Sequence, residues 1–349
     1  MIDPVEVERH RLPQPENERI FNERIVPDQL EGRVPQQTPT VVFLIGQPGA
    51  GKSRLTELVA AALNRHGGFV DIDSDLYKPY HPSYDDLMAQ DDTLMAAYTR
   101  ADGRAWMALA EAYVRDHKLH AIVQETSQNA AAVEEKMLAY RTAGARVEAL
   151  FMGVSQAQSN QGIDARYIQQ LADRGQGRLT VQSNADESYA GILELADRVD
   201  ASRLADLVSL YRRGESKPRY ANALDGGGQW SAEPQTRTQL ERERARPLSA
   251  REAADFVEVQ LHLREATRTL GAPWPARLAR TEEMALPLLS ADQAARLTPS
   301  PLRPSVAAAR SRSTTISTRP RPGQGSAPET RNEVPRRPAD GPDQRGRSK

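Results

Sequence analysis

The sequence predicts an α/β fold: a parallel sheet with helices on both faces, followed by a helical and then a disordered C-terminal extension. Between residues 39 and 213, short apolar runs alternate with amphipathic segments, the pattern of strands joined by crossover helices. The first run, Val41-Val42-Phe43-Leu44-Ile45, is apolar without interruption, as a strand covered on both faces requires. A glycine-rich loop then leads straight into a helical stripe.

That stripe is Leu55, Leu58, Val59 and Ala62, spaced i, i+3, i+4 and i+7, and Gly67-Gly68 ends it. Residues 69–72 read as a second strand. A helix over 103–116 leads into a strand at 121–123, and a helix over 129–142 stops at Gly144. Residues 147–154 form a further strand and 163–171 a further helix, with 185–199 and 204–211 completing the set.

Outside 39–213 the character changes. Residues 1–38 read as an N-terminal arm with one short helix near 18–24. Residues 214–298 read as a linker and helical extension, with a flexible break at Gly226-Gly227-Gly228 and helices over 235–246 and 250–270. Residues 299–349 are rich in Pro, Arg, Ser and Gly and bury too little surface to offset their ordering entropy, so a disordered tail is expected. A chain cut after residue 275 is expected to keep its fold, since the candidate site residues all precede that point.

Composition narrows the class. The 349 residues contain no cysteine, which excludes disulfides and thiolate metal sites. No apolar run reaches the length of a membrane span, and the N-terminal stretch is polar and acidic. A cytoplasmic protein with no membrane partner is expected. The arginines of the tail lack interleaved aromatics, so contact with nucleic acid is expected to be non-specific at most.

Gly46-Gln47-Pro48-Gly49-Ala50-Gly51-Lys52-Ser53 matches GxxxxGK[ST] at every position, between a buried strand and an amphipathic helix. Glycines let successive N–H groups curl around phosphate oxygens, and the helix N-terminus adds partial positive charge. Lys52 is placed to neutralise the β- and γ-phosphates of ATP, and the Ser53 hydroxyl to ligate Mg²⁺. The expected fold is therefore that of a P-loop kinase over 39–213.

Phosphoryl transfer to a hydroxyl needs a group that orients or deprotonates the acceptor. Asp71, Asp73 and Asp75 fall on one face if the second strand continues through them, and Asp75 then emerges at the cleft. A solvated strand end or a helix cap is the plainer reading. Glu125 and Ser127 follow the third strand, where they can hold an acceptor, although Ser127 also suits a helix cap. Arg166 and Arg178 are candidates for stabilising charge on the transferred group, against the alternative of surface charge.

These residues together resemble the zeta-toxin family, P-loop kinases of bacterial toxin–antitoxin systems, over residues 20–212. The family reads GQPG[SA]GK[ST] in its loop, then I-D-x-D-x-[FY]-[KR], two further residues and His-Pro. Here the second motif is Ile72-Asp73-Ser74-Asp75-Leu76-Tyr77-Lys78, followed by Pro79-Tyr80 and His81-Pro82. The resemblance implies ATP-dependent phosphorylation of the sugar 3′-hydroxyl of UDP-N-acetylglucosamine, which blocks cell-wall precursor supply, and an antitoxin partner. It places Asp75 on the catalytic base, Glu125 and Ser127 on a substrate-binding Glu-x-Thr, and Arg166 and, with a one-residue shift, Arg178 on the charge-stabilising arginines. A further substrate-contacting glutamate aligns with Leu109, and Glu111 is the nearest candidate. Two other readings stand beside this one: a P-loop kinase for another small hydroxyl compound, and a non-catalytic module whose partner binding ATP gates.

Overall fold

The computed structural model describes residues 4–90 and 92–298 of the chain. Strand β1 (Thr40–Ile45) lies between β3 (Ala121–Glu125) and β4 (Arg146–Met152) in a six-stranded sheet. Its order is β2-β3-β1-β4-β5-β6, with β2 at Val70–Ile72, β5 at Leu207–Tyr211 and β6 at Tyr220–Ala223. The first five strands are parallel and β6 pairs antiparallel with β5.

Side-chain alternation makes the sheet the divider between two apolar clusters. Val41, Phe43 and Ile45 of β1, with Ala121 and Val123 of β3 and Val147, Ala149 and Phe151 of β4, face the larger cluster. Val42, Leu44, Ile122, Leu150 and Met152 face the other. Each Val, Leu, Ile, Phe or Met among them contributes about 1.5–3 kcal/mol on full burial.

The helices supply the other half of each cluster. Two short ones, α1 (Pro4–His10) and α2 (Gln14–Ile20), open the chain, and α3 (Ser53–Asn64) covers the smaller face with Leu55 and Leu63. After β2 come α4 (Ser74–Tyr77), α5 (Tyr84–Gln90), α6 (Asp92–Tyr98) and α7 (Arg100–Asp116). The larger face is covered by α7, α8 (Ala130–Thr142) and α10 (Gln182–Ser202), through residues such as Trp106, Met137 and Leu195. Helix α9 (Gln156–Arg174) follows β4.

The N-terminal segment is not an arm. A wide π-type helix over Phe21–Leu30 follows α2, with Pro27 inside it removing a backbone donor. Ile20, Phe21, Ile25 and Leu30 are buried in the larger cluster. Asp102 of α7 ties this segment down, accepting from Leu12 N at 3.2 Å and Asn17 Nδ2 at 2.9 Å. His81 of the His-Pro pair sits 3.4 Å from the same carboxylate and 3.1 Å from the His10 carbonyl, so it works as a structural anchor.

The segment after 213 is also more built than the sequence implies. Strand β6 was not foreseen, because Tyr-Ala-Asn-Ala carries no apolar alternation. The glycine triplet forms a closed turn: Asp225 Oδ1 accepts from Gly227 N at 2.8 Å and Gln229 N at 3.0 Å, and Leu224 pairs with Trp230. Helices α11 (Thr236–Ala245), α12 (Ala250–Ala266), α13 (Trp274–Ala285) and α14 (Ala291–Leu297) follow. Phe256, Val257, Ala285 and Leu297 form a third cluster with Ala157 of α9. A cut after 275 would therefore remove packed residues of α13 and α14. The expected tail, 299–349, lies outside the described residues.

Ile25 is fully buried, so Ile25→Ala should destabilise the chain by about 2–5 kcal/mol in urea unfolding. A loss of only a few tenths of a kcal/mol would restore the picture of a loose arm.

Candidate active site

The P-loop leaves the carboxyl end of β1, where parallel α/β sheets open a crevice at the strand-order reversal. Gly49 has φ 74° and its backbone lies against α9, so that a Cβ there would collide with the Ser159 carbonyl. The Gln47 side chain is buried and donates to Ser159 Oγ at 2.7 Å and to the Val154 carbonyl at 3.0 Å. Lys52 Nζ donates to the Gly46 carbonyl at 2.6 Å. Burial lowers the Lys52 ammonium to about 8, with Arg166 adding to the fall and Asp73 opposing it. Ser53 opens α3 with its side chain exposed.

Arg213, just beyond β5, closes the loop from beneath. It donates to the carbonyls of Gly49, Gln158 (2.8 Å) and Ala50 (3.4 Å). Desolvation lowers its guanidinium to about 10.

On the acceptor side β2 stops at Ile72, and the three aspartates do not share a face. Asp71 lines a cavity of about 290 Å³ with Gln29, Arg33 and Asn64, and no P-loop residue takes part in it. Burial and the charge of Asp73 raise its carboxyl to about 6. Asp73 is the N-cap of α4 and accepts from Asp75 N at 2.9 Å. Burial and the Asp75 charge raise the Asp73 carboxyl as well.

Asp75 thus stands in the first turn of a helix rather than at a strand end. It pairs with Lys78 Nζ at 2.7 Å and with the Arg178 guanidinium. Burial acts to raise its carboxyl, but Arg178 and Lys78 outweigh that and hold it well below the usual carboxylate range. Arg166 donates to Thr180 Oγ1 at 3.3 Å. Burial lowers its guanidinium, as does Arg178, while Asp75 and Asp73 oppose the fall. The structure therefore brings Lys52, Asp73, Asp75, Arg166 and Arg178 within electrostatic reach of one another.

A second group forms around Lys136 of α8, whose ammonium lies 2.8 Å from Glu125 and 2.9 Å from Glu111. Burial disfavours the Lys136 charge, but the two carboxylates outweigh it and keep it protonated. Burial raises the Glu111 carboxyl, Lys136 opposes this and Glu125 adds to it. Glu111, not Leu109, is thus the α7 residue beside Glu125. Ser127 is buried with φ 57°, and its Oγ has no hydrogen-bond partner among the described residues. The cap of α8 is Asn129, whose Oδ1 accepts from Ala132 N at 3.1 Å, so Ser127 is left for another use.

Lys136, Thr180 and Arg213 were not singled out from the sequence, and Lys78 only as a motif letter. A lysine inside a helix reads as surface charge, and nothing local reveals two carboxylates waiting for it. The anion-handling groups, Lys52, Arg166 and Arg178, suit a phosphate chain. The exposed Ser53 hydroxyl is a hard oxygen donor that could ligate a divalent cation. Among the described residues there is no group of three or more His, Asp or Glu side chains that could hold a metal ion.

The Lys52 charge gives a direct pH test. Its pKa is depressed to about 8, and only the protonated form would attract phosphate. Affinity for inorganic triphosphate should therefore fall between about pH 7 and about pH 9, with proton uptake on binding near the top of that range. Lys52→Ala should bind weakly with no such slope. A wild-type affinity that stays flat contradicts this placement of Lys52.

A family model described as Zeta toxin matches residues 26–225. The curated Toxin zeta of Streptococcus agalactiae is 24% identical over 161 residues, which cover 44% of this chain and 55% of that protein. The chain thus matches only about half the length of that relative. A solved structure from the PezAT chromosomal toxin–antitoxin system of Streptococcus pneumoniae superposes with a TM-score of 0.60 at 14% identity, covering 78% of this chain and 98% of that one. An AvrRxo1-ORF1:ORF2 complex is more distant, with a TM-score of 0.46 at 14% identity over 79% of this chain and 86% of that one. With more than half of its residues matched by the family model, the chain belongs to the zeta-toxin family.

Proposed function

We propose that this chain transfers the γ-phosphoryl group of ATP to a hydroxyl of a small molecule, with Asp75 as the base. The observation that carries this is the Asp75–Arg178–Lys78 cluster set beside Lys52. Lys52 and the loop N–H groups grip the phosphate chain, and Arg166 and Arg178 receive the charge that spreads over the transferred oxygens. The Ser53 hydroxyl would hold Mg²⁺ together with the phosphates, and the cation would neutralise part of that charge. A carboxylate held far below its ordinary pKa is a weak base. When Arg178 turns from Asp75 to the phosphoryl oxygens, Asp75 loses its strongest partner and regains basicity. It then takes the proton of the acceptor hydroxyl as the new P–O bond forms and ADP leaves.

The acceptor is UDP-N-acetylglucosamine at its sugar 3′-hydroxyl, held by Glu111, Glu125 and Ser127. This rests on family membership, on the unpartnered Ser127 hydroxyl and on the pairing of Glu111 with Glu125. In the cytoplasm that activity depletes cell-wall precursors, and an antitoxin protein restrains it. One observation favours a different small hydroxyl acceptor: Lys136 occupies part of both carboxylates, which suits an acidic sugar as well. A purely ATP-gated module would need none of the Asp75 cluster.

Asp75→Asn should lower turnover roughly 10²–10⁴-fold while ATP affinity changes little. Asp73→Asn keeps a cap residue and should cost much less. Lys52→Ala should abolish phosphoryl transfer. Full turnover by Asp75→Asn, with Asp73→Asn inactive, would reassign the base.

A further inference from the structure

Helix α9 has two working faces, and only one of them turns to the P-loop. Ser159, Gly162, Ile163 and Arg166 recur three or four residues apart and share a face. Gly162 approaches the Gly49 carbonyl so closely that a Cβ would collide with it, and Ser159 and Ile163 meet the Gly49 backbone in the same way. Gln161 and Asp164 lie away from that face and Tyr167 at its flank, and each meets the C-terminal helices. Gln161 Nε2 donates to the Phe256 carbonyl at 2.7 Å and to Gln260 Oε1 at 3.1 Å. Asp164, wholly buried, pairs with Arg277. Tyr167 stacks on Trp274 with ring centroids 5.6 Å apart and planes 25° from parallel.

A second connection runs along the chain itself. Arg212 is buried between Glu243 (3.1 Å) and Glu252 (2.7 Å), at α11 and α12. Its neighbour Arg213 holds the Gly49 and Ala50 carbonyls. Adjacent residues thus tie the extension to the underside of the P-loop.

The family match ends at residue 225, and α12 and α13 lie beyond it. We propose that these two helices are a brace that fixes the position of α9, so that Trp274 and Arg277 are positioning residues acting through Arg166. The proposal rests on the phosphotransferase reading for its kinetic consequence only. Ordering by the brace follows from geometry alone: α9 opens with a polar stretch, Gln-Ala-Gln-Ser-Asn-Gln-Gly, that has little apolar surface to hold it against the sheet. Of its buried polar side chains, Ser159 is bonded from the P-loop, and Gln161 and Asp164 from the brace.

The test uses the full chain with Trp274→Leu and Arg277→Lys. Trp274→Leu removes the stack and strands no buried charge, and Arg277→Lys retains the charge while losing the guanidinium fork. Two measurements are made: amide hydrogen exchange along α9, and kcat alone and combined with Arg166→Ala. Trp274→Leu should speed exchange across α9 while the sheet stays protected. It should lower kcat on the order of tenfold, given the steep cost of small misplacements, with ATP affinity within about twofold. In the Arg166→Ala background it should cost little more, because both changes remove one function. Arg277→Lys should fall between wild type and Trp274→Leu. Unchanged exchange along α9, unchanged kcat, or losses that multiply with Arg166→Ala would each overturn the brace. Failure of the phosphotransferase reading looks different: Arg166→Ala then retains full kcat, or wild type shows no turnover, while the exchange result still decides whether α9 is braced.

Discussion

Everything at the site depends on one constraint, the burial of β1 on both faces. A strand flanked by β3 and β4 and covered above and below has one way out, through its carboxyl end. The loop that leaves there must turn back at once into α3. The contact of its Gly49 backbone with α9 fixes how far the turn extends. The sheet thus fixes the ring of the glycine loop, and α4, α9 and the segment after α9 deliver the charged side chains near it.

Charge is arranged in two separate balances around that ring. On the side of α4, Lys78, Arg166 and Arg178 outnumber Asp73 and Asp75, and Lys52 adds a fourth cation. Such a surplus draws in a polyanion and is relieved by it. On the side of α7 and α8 the balance is reversed, with Glu111 and Glu125 around the single Lys136. Carboxylates there are partnered but not saturated, since each retains lone pairs for hydroxyl donors. One half of the crevice suits phosphate and the other suits a polyol.

How much of this the sequence shows follows from how local each cause is. The P-loop was legible because strand, glycine turn, lysine and helix are contiguous. The core strands were legible because their apolar runs are unbroken. Asp75 was found but on the wrong kind of element: the strand ends at Ile72, and Asp73 caps a helix where alternation was expected. Lys136 and Arg213 were hidden because their partners stand far away in sequence. The first half of α9 was missed for the opposite reason to a loop, since its polar residues are buried and bonded rather than solvated. Residues 4–30 and 236–298 read as appendages because their apolar residues are sparse, yet those few are the ones that reach the clusters.

As proposed, this crevice joins a phosphoryl donor to a sugar hydroxyl. Incubating the protein with ATP and Mg²⁺ against a panel of nucleotide sugars and sugar acids, read by mass spectrometry, tests it most directly. UDP-N-acetylglucosamine should gain one phosphoryl group on its sugar ring, with ADP formed in equal amount. ATP bound but no member of the panel phosphorylated would contradict it.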